Sequence, residues 1–422
     1  MAAEPVAPES IASDPFAAEG LALDQALEQV LAALRPLDGE ERLPLAAALG
    51  RVSAEVVRAP ADVPGFRASI LDGYGIADDT PPPRGSRWRV RGRAAAGAPW
   101  AGTIAAGEAI RILTGAPVPD GVQRVLAQEL VAVEGDVITL EAQVGPNPWI
   151  RSAHEEAAAD QVLLEPGVRL TPATLGRLAG CGLAAVAVRP RPRIGLLSSG
   201  DELVAPGEER AAGQIWESNG TLLEALLRQL GYGVAERRVA ADDPAALREA
   251  LLALADRCDV VVSTGGVSAG DTDWIRPLLA EMGTVSFWKL FLKPGRPFAF
   301  GWLGGRPFFG LPGNPVAAAV TALQLLWPAL QCLEGAEPQR LPRLRVRLAA
   351  PLRRKPGRPE LVRAHLMVAA DGAVQAELAG SQASSRIGSL QGADLLLEIP
   401  AEQGDLEAGA LLWAQLLRLP MF

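Results

Sequence analysis

The sequence is poor in the residues that carry soft-metal and redox chemistry, with three cysteines and two histidines in 422 residues. Cys181, Cys258 and Cys332 are far apart in apolar surroundings, and no CxxC pair exists. That excludes a cysteine-built zinc site and a disulfide framework. It predicts buried free thiols in a reducing compartment, the cytoplasm. With His154 and His365 as the two histidines, a histidine-rich catalytic metal centre is excluded too. A divalent ion would have to be held by carboxylates and water, which favours magnesium.

Other absences narrow the field further. Proline, glycine and arginine interrupt the Leu/Ala-rich segments, so no membrane span is expected. The opening MAAEPVAPESIASDPFAAEG carries acids and no basic region before an apolar core, which argues against a secretory signal. A net charge of −9 does not favour nucleic acid as the main partner. Neither GxxxxGK[ST] nor GxGxxG occurs, so a P-loop and a dinucleotide fingerprint are both ruled out. No tandem repeat is visible.

What is present describes a globular chain, 49% hydrophobic and 21% charged, and too long for a single core. From Leu23 to Leu34 the apolar residues follow helical spacing until Pro36. After the connector Pro60-Ala-Asp-Val-Pro-Gly-Phe-Arg, short strands and turns run to about Gly145. Thr171 to Leu183 is helical again, and Arg189-Pro-Arg-Pro-Arg193 reads as a linker. Beyond it strands and helices alternate: Ile194-Gly-Leu-Leu-Ser, a helix over Thr221 to Leu230, a strand near Val234, a helix over Pro244 to Ala255, and the strand Asp259 to Ser263. That alternation predicts a parallel sheet with helices on both faces. Thr221 and Glu224 have capping-box spacing. Strand patterns return after about Pro338. The arginine sets 87, 89, 91, 93 and 343, 345, 347 each share one strand face, read as solvated.

The chemistry lies in the loops of the α/β region, where ligands bind beyond the carboxyl ends of parallel strands. Ser198-Ser-Gly-Asp-Glu202 and Ser263-Thr-Gly-Gly-Val-Ser-Ala-Gly-Asp-Thr-Asp273 expose backbone N–H groups that can cradle an oxyanion. Glu202, Asp242, Asp271 and Asp273 fall at or just after strand ends of the same domain. Two or three such carboxylates can hold magnesium against phosphate oxygens. The bland alternative is helix capping by Asp271 or Asp273 and a plain turn at Asp242-Asp-Pro. In Phe287-Trp-Lys-Leu-Phe-Leu-Lys293 a strand would put Lys289, Phe291 and Lys293 on one face, two cations beside a ring. Gly310-Leu-Pro-Gly-Asn-Pro-Val316 is a rigid helix entrance that would wall the same cleft.

Taken in order, these motifs resemble those of the molybdopterin molybdenumtransferase family, to which the E domain of gephyrin is related. The resemblance rests on Asp62-Val-Pro-Gly-Phe, Leu71-Asp-Gly-Tyr, Arg111-Ile-Leu-Thr-Gly-Ala-Pro-Val-Pro-Asp-Gly121 and Ser199-Gly-Asp-Glu-Leu. It continues through Thr264-Gly-Gly-Val-Ser-Ala-Gly-Asp-Thr-Asp, Phe287-Trp-Lys, Lys293-Pro-Gly-Arg-Pro and Leu311-Pro-Gly-Asn-Pro. Four departures are plain, one of them His154-Glu-Glu in place of the usual Gly-Glu-Asp segment. Phe66-Arg-Ala-Ser-Ile-Leu-Asp-Gly-Tyr-Gly75 lacks an acid and an asparagine usual there, Glu217 stands where aspartate is common, and Ala317 where serine often follows.

The resemblance implies a multi-domain α/β plus β fold, with a doubly wound α/β domain of the molybdopterin-binding type. Its four domains would be an N-terminal helical linker domain (1–60 with 146–190), a β-rich domain (61–145), the α/β domain (191–335) and a C-terminal β-rich domain (336–422). It implies a homodimer that inserts molybdenum from molybdate into adenylylated molybdopterin, with magnesium-dependent cleavage of the adenylate and release of AMP. A molybdopterin adenylyltransferase is a candidate partner. Carried over by motif, Glu202, Asp242 and Asp273 would serve metal and catalysis, with Asp72 and Thr114 supplied by the second subunit. Gly265, Gly266, Ser268, Lys289, Lys293, Arg296, Pro312, Asn314, Pro315, Arg363 and Ser385 would bind substrate.

Overall fold

The computed structural model describes residues 20–267 and 274–418, and the chain divides into two compact units. One spans Glu40–Val188; the other combines the residues up to Gly39 with those from Arg189 onward.

The Glu40–Val188 unit is built on a six-stranded sheet in the order Arg124–Ala127, Gly73–Ile76, Glu108–Ile112, Arg87–Ala94, Val137–Leu140, Val131–Glu134. Along Arg87–Ala94 the four alternating arginines are exposed while Trp88 and Ala94 are buried. Arg89 pairs with Asp136 at 2.7 Å and Arg91 with Glu108 at 3.5 Å, so this arginine face is a solvated one. A second core in the same unit gathers around the helix Pro172–Gly180, whose Thr171 hydroxyl accepts the Thr174 N–H at 3.2 Å.

The other unit carries a second six-stranded sheet, in the order Val234–Ala240, Ile194–Ser199, Val260–Thr264, Arg306–Leu311, Ala299–Leu303, Gly283–Trp288. The first four strands are parallel. The last two join antiparallel, so the sheet is mixed rather than wholly parallel. The tight Gly304-Gly305 turn permits this, because adjacent antiparallel strands need no crossover. Strand alternation feeds two cores. Ile194, Leu196, Val260 and Val262 pack with Leu223 and Leu227 of the helix Asn219–Gln229. Leu197 and Val261 turn to the other face, against Leu247, Leu251 and Leu254 of Pro244–Arg257 and Leu278 of Ile275–Met282.

The helix Leu23–Ala33 buries Ala26, Leu27 and Val30 in the first of these cores, alongside the α/β elements. Its sequence position suggested a place in the linker domain, but its apolar stripe is covered by the sheet's own helices. Five further strands close a small barrel in the order Arg343–Leu348, Val374–Leu378, Glu360–Val368, Leu395–Ile399, Leu411–Leu416. Its exposed Arg343 and Arg345 stack over the Trp413 ring at 4.6 and 5.1 Å.

Two expectations need correction. The capping box at Thr221 and Glu224 is not formed, because the helix begins at Asn219; Glu217 accepts the Gly220 N–H at 2.7 Å instead. One helix, Pro315–Leu333, does reach membrane-spanning length and hydropathy, but 89% of its apolar window is buried within the protein. It is a core helix, and a π-helical turn over Ala322–Leu326 interrupts it. Cys181 and Cys258 are buried free thiols and Cys332 is half-buried.

Candidate functional site

The loops at the carboxyl ends of the parallel strands open onto a cleft of about 990 Å³. Ten residues expected at the site meet there: Glu202, Asp242, Gly265, Gly266, Lys293, Arg296, Pro312, Asn314, Pro315 and Ser385. All lie in one compact unit.

The glycine pair owes its identity to geometry. Gly265 and Gly266 have φ of +91° and +63°, and a Cβ on Gly265 would lie 2.5 Å from the Ser199 carbonyl oxygen. No side chain fits between these two strand ends, so the backbone is bare toward the cleft. Beside this loop, Pro315 starts the long helix and Asn314 stands at the cap position. The Asn314 amide donates outward to Ser384 Oγ at 3.1 Å, tying the turn to the loop that carries Ser385.

Asp242 is poorly satisfied by its surroundings. Asp243, not Asp242, caps the helix Pro244–Arg257, accepting the Ala246 N–H at 2.8 Å. Asp242 is thereby relieved of the turn role that the sequence also allowed. Its backbone N–H donates to Asp201 Oδ1 at 2.9 Å, but its own Oδ1 is buried with no hydrogen-bond partner among the described residues. The Ser199 hydroxyl and the Asp201 backbone lie beside the carboxyl and favour its charged form, but burial, with the charges of Asp201 and Glu202, outweighs them and pushes it above the usual carboxylate range. A cation among these oxygens would offset the burial and the like charges. Among the described residues no three acids, histidines or cysteines form a metal-holding group. Two carboxylates plus substrate oxygens and water are nonetheless a common magnesium set, so Glu202 and Asp242 fit the ion. Asp273, with Ser268 and Asp271, lies outside the described residues.

The cations differ from the sequence expectation. The strand ends at Trp288, and Lys289 has φ of +93° as the chain turns back, its N–H bonding Phe298 O at 2.7 Å. Lys289, Phe291 and Lys293 therefore do not share a strand face, and Lys289 is absent from the cleft lining. Lys293 does line the cleft, with its ammonium on Glu360 at 2.5 Å. Arg363 lies behind the wall, 1% exposed, bonding Ser389 Oγ and the Ser381 and Ala383 carbonyls, each at 3.2 Å. Burial pulls its guanidinium below its usual range. It braces the loop that presents Ser385.

Asp72 and Thr114 belong to the other compact unit and form a local pair: Asp72 Oδ1 accepts both the backbone N–H and the hydroxyl of Thr114 at 2.8 Å. Those bonds, with Arg111 nearby, hold the Asp72 carboxyl below its usual range.

Several lining residues escaped the sequence reading, among them Trp216, Asn219, Arg358 and Gln382. Asn219 donates from Nδ2 to Thr264 Oγ1 at 2.8 Å and to Gly313 O at 2.7 Å. The available signal was Asn219 at the start of a helix of the α/β region, after the short strand Ile215–Trp216.

A mixed α/β sheet thus carries bare glycine loops, the Asp242 carboxylate and the cations Lys293 and Arg296 at one edge, the place where α/β domains bind ligands. Comparison with known proteins gives the narrower class. Residues 21–182 match the MoeA N-terminal region (domain I and II), residues 195–332 a probable molybdopterin binding domain, and residues 345–417 the MoeA C-terminal region (domain IV). The molybdopterin molybdenumtransferase of Haemophilus influenzae is 34% identical over 92% of this chain and 96% of its own. Molybdopterin molybdenumtransferase 2 of Mycobacterium tuberculosis is 33% identical over 90% and 95%. Dictyostelium discoideum gephyrin is 28% identical over 94% of this chain and 62% of its own. The crystal structure of the molybdopterin biosynthesis MoeA protein from Pyrococcus horikosii superposes with a TM-score of 0.77 at 28% identity, covering 95% of this chain and all of that one. The chain belongs to the molybdopterin molybdenumtransferase family, enzymes of molybdenum cofactor biosynthesis.

Proposed function

We propose that the chain inserts molybdenum from molybdate into adenylylated molybdopterin, cleaving the adenylate in a magnesium-dependent step and releasing AMP. The observation that carries this is the Asp242 carboxylate oxygen, buried without a partner beside Glu202 and the bare Gly265-Gly266 loop. Within the proposal, the glycine backbone binds phosphate oxygens, and Glu202 and Asp242, joined by Asp273, hold the ion. When bound, magnesium would supply charge neutralisation at the reacting phosphate. Lys293 and Arg296 receive the remaining anionic groups, the pterin phosphate or molybdate, with Ser385 on the loop braced by Arg363. Lys289, away from the lining, keeps at most an indirect part.

We further propose that the protein acts as a homodimer in the cytoplasm, a second copy delivering Asp72 and Thr114 to the reaction. An adenylyltransferase would supply the substrate. The test is a single-turnover reaction with adenylylated molybdopterin, molybdate and magnesium, following AMP release and transfer of molybdenum to an apo-enzyme. Both are expected, and both should fail without the divalent ion. Substrate that stays esterified to AMP under these conditions overturns the proposal.

A further inference from the structure

An ion pair between buried Glu217 and half-buried Arg237 lies at one wall of the cleft, outside the chemistry assigned above. Glu217 is 2% exposed, on the cleft lining. Its Oε1 accepts from Ser198 Oγ at 3.0 Å and from the Gly220 N–H at 2.7 Å, and Arg237 binds its Oε2. Ser198 belongs to the strand Ile194–Ser199, Gly220 to the first turn of the helix Asn219–Gln229, and Arg237 to the edge strand Val234–Ala240. One carboxylate therefore ties three elements together. Gly220 is part of the arrangement, since a Cβ there would stand 2.4 Å from Arg237 Nε. Its missing side chain leaves the space that the guanidinium fills.

Such a pair is a poor means of stabilising a fold. Taking the Glu217 carboxylate out of water is costly, and a well-packed apolar pair is often as stable or more so. A role in orientation accounts better for it, and the neighbouring residue shows what is oriented. Asn219 starts the helix that Glu217 pins. Both N–H bonds of its amide are used, one on Thr264 Oγ1 and one on Gly313 O, while the Thr264 hydroxyl donates to Pro312 O at 3.0 Å. The glycine loop after Val260–Thr264 and the Pro-Gly-Asn-Pro turn are neighbours, the Gly265 N–H on Leu311 O at 3.3 Å, and Asn219 holds them together where both line the cleft.

We propose that Glu217, paired with Arg237, is a positioning residue: it fixes the helix start so that Asn219 sets the spacing of the two loops that grip the adenylate phosphates. This deepens the functional proposal above and rests on it for the identity of the ligand. The test compares wild-type protein with Glu217→Gln and with the paired Glu217→Leu, Arg237→Met variant, all as the full chain. AMP with magnesium serves as the probe, and amide hydrogen exchange is followed over 264–267 and 311–314 without ligand. Glu217→Gln is expected to weaken AMP binding about ten- to a hundredfold, the usual effect of removing a supporting partner, and to speed exchange in both segments. The paired variant should keep a wild-type melting temperature yet show the same two defects. Glu217→Gln in an Asn219→Ala background should add little further loss, because the two act through one another. Exchange and affinity within twofold of wild type in Glu217→Gln, or fully additive losses with Asn219→Ala, would overturn the inference. If wild-type protein fails to bind AMP, the functional proposal falls, while the exchange comparison still decides the part played by Glu217.

Discussion

Asp72 and Asp242 are both acids near the ends of sheet strands, and their surroundings push them in opposite directions. Asp72 is satisfied locally, with two donors from Thr114 on one oxygen and a lowered pKa. Asp242 is crowded by burial and by two neighbouring acids, has an oxygen with no partner, and has a raised pKa. A carboxylate that needs nothing more is an ordinary structural acid until something else approaches it. One held at such disadvantage is suited to receive a cation.

The most forceful way to break this comparison is to neutralise Asp242. Asp242→Asn should lower magnesium-dependent AMP release on the order of a hundredfold, as misplacing a reacting group does. The folded state without ligand should be no weaker. The sign follows from linkage. With its pKa raised, Asp242 binds a proton more readily in the folded than in the unfolded chain. Its contribution to stability therefore falls as pH rises from the ordinary carboxylate range through the raised value. Melting temperatures against pH without divalent ions should lose this component in Asp242→Asn, and magnesium should bind wild type more weakly as pH falls through the same window. A steep loss of stability in Asp242→Asn at neutral pH would mean that the charge is satisfied after all.

A smaller effect concerns the cation already engaged. Lys293 is exposed and held by Glu360, so Glu360→Gln should free its ammonium for a ligand anion. A half-exposed pair of this kind is worth at most about 1 kcal/mol, so AMP or molybdate should bind up to about fivefold more tightly, as titration calorimetry would register. Weaker binding would show that Glu360 orients Lys293 rather than competing for it.

The smallest effect is expected at Asp72. Its lowered pKa gives a contribution to stability that is complete above the unfolded-state value and lost as pH falls through the folded one. Asp72→Asn should remove that acid-side slope from the melting curve and leave neutral pH almost unchanged. A large drop at neutral pH would erase the contrast with Asp242.

The contrast also marks what could be seen in the chain beforehand. Glycines placed after apolar β-branched runs, and Pro-Gly-Asn-Pro before an alanine-rich helix, are local signals. They located the cleft because backbone geometry depends on near neighbours. The Lys293–Glu360 pair, the Asn219 clamp and the Glu217–Arg237 pair join residues far apart in sequence, which no local pattern encodes. Lys289 shows the limit from the other side. Alternation placed it on a strand, but hydrogen bonds from the 289–290 backbone to Phe298 and Arg296 close a loop there and override the period.

The π-helical turn over Ala322–Leu326 has a consequence for how the core helix is threaded. Widening one turn accommodates an additional residue, which rotates everything after it by about 100° relative to an uninterrupted α-helix. Gln324, within that turn, reaches Gln415 of the barrel at 2.6 Å. The helix therefore behaves as two cylinders with different phases, the first addressed to the cleft through Asn314 and Pro315, the second packed against the helix Leu23–Ala33. Deleting one residue between 322 and 326 would straighten the rod and bring the halves into a single phase. The helix Leu23–Ala33 would then meet the wrong side of its own support.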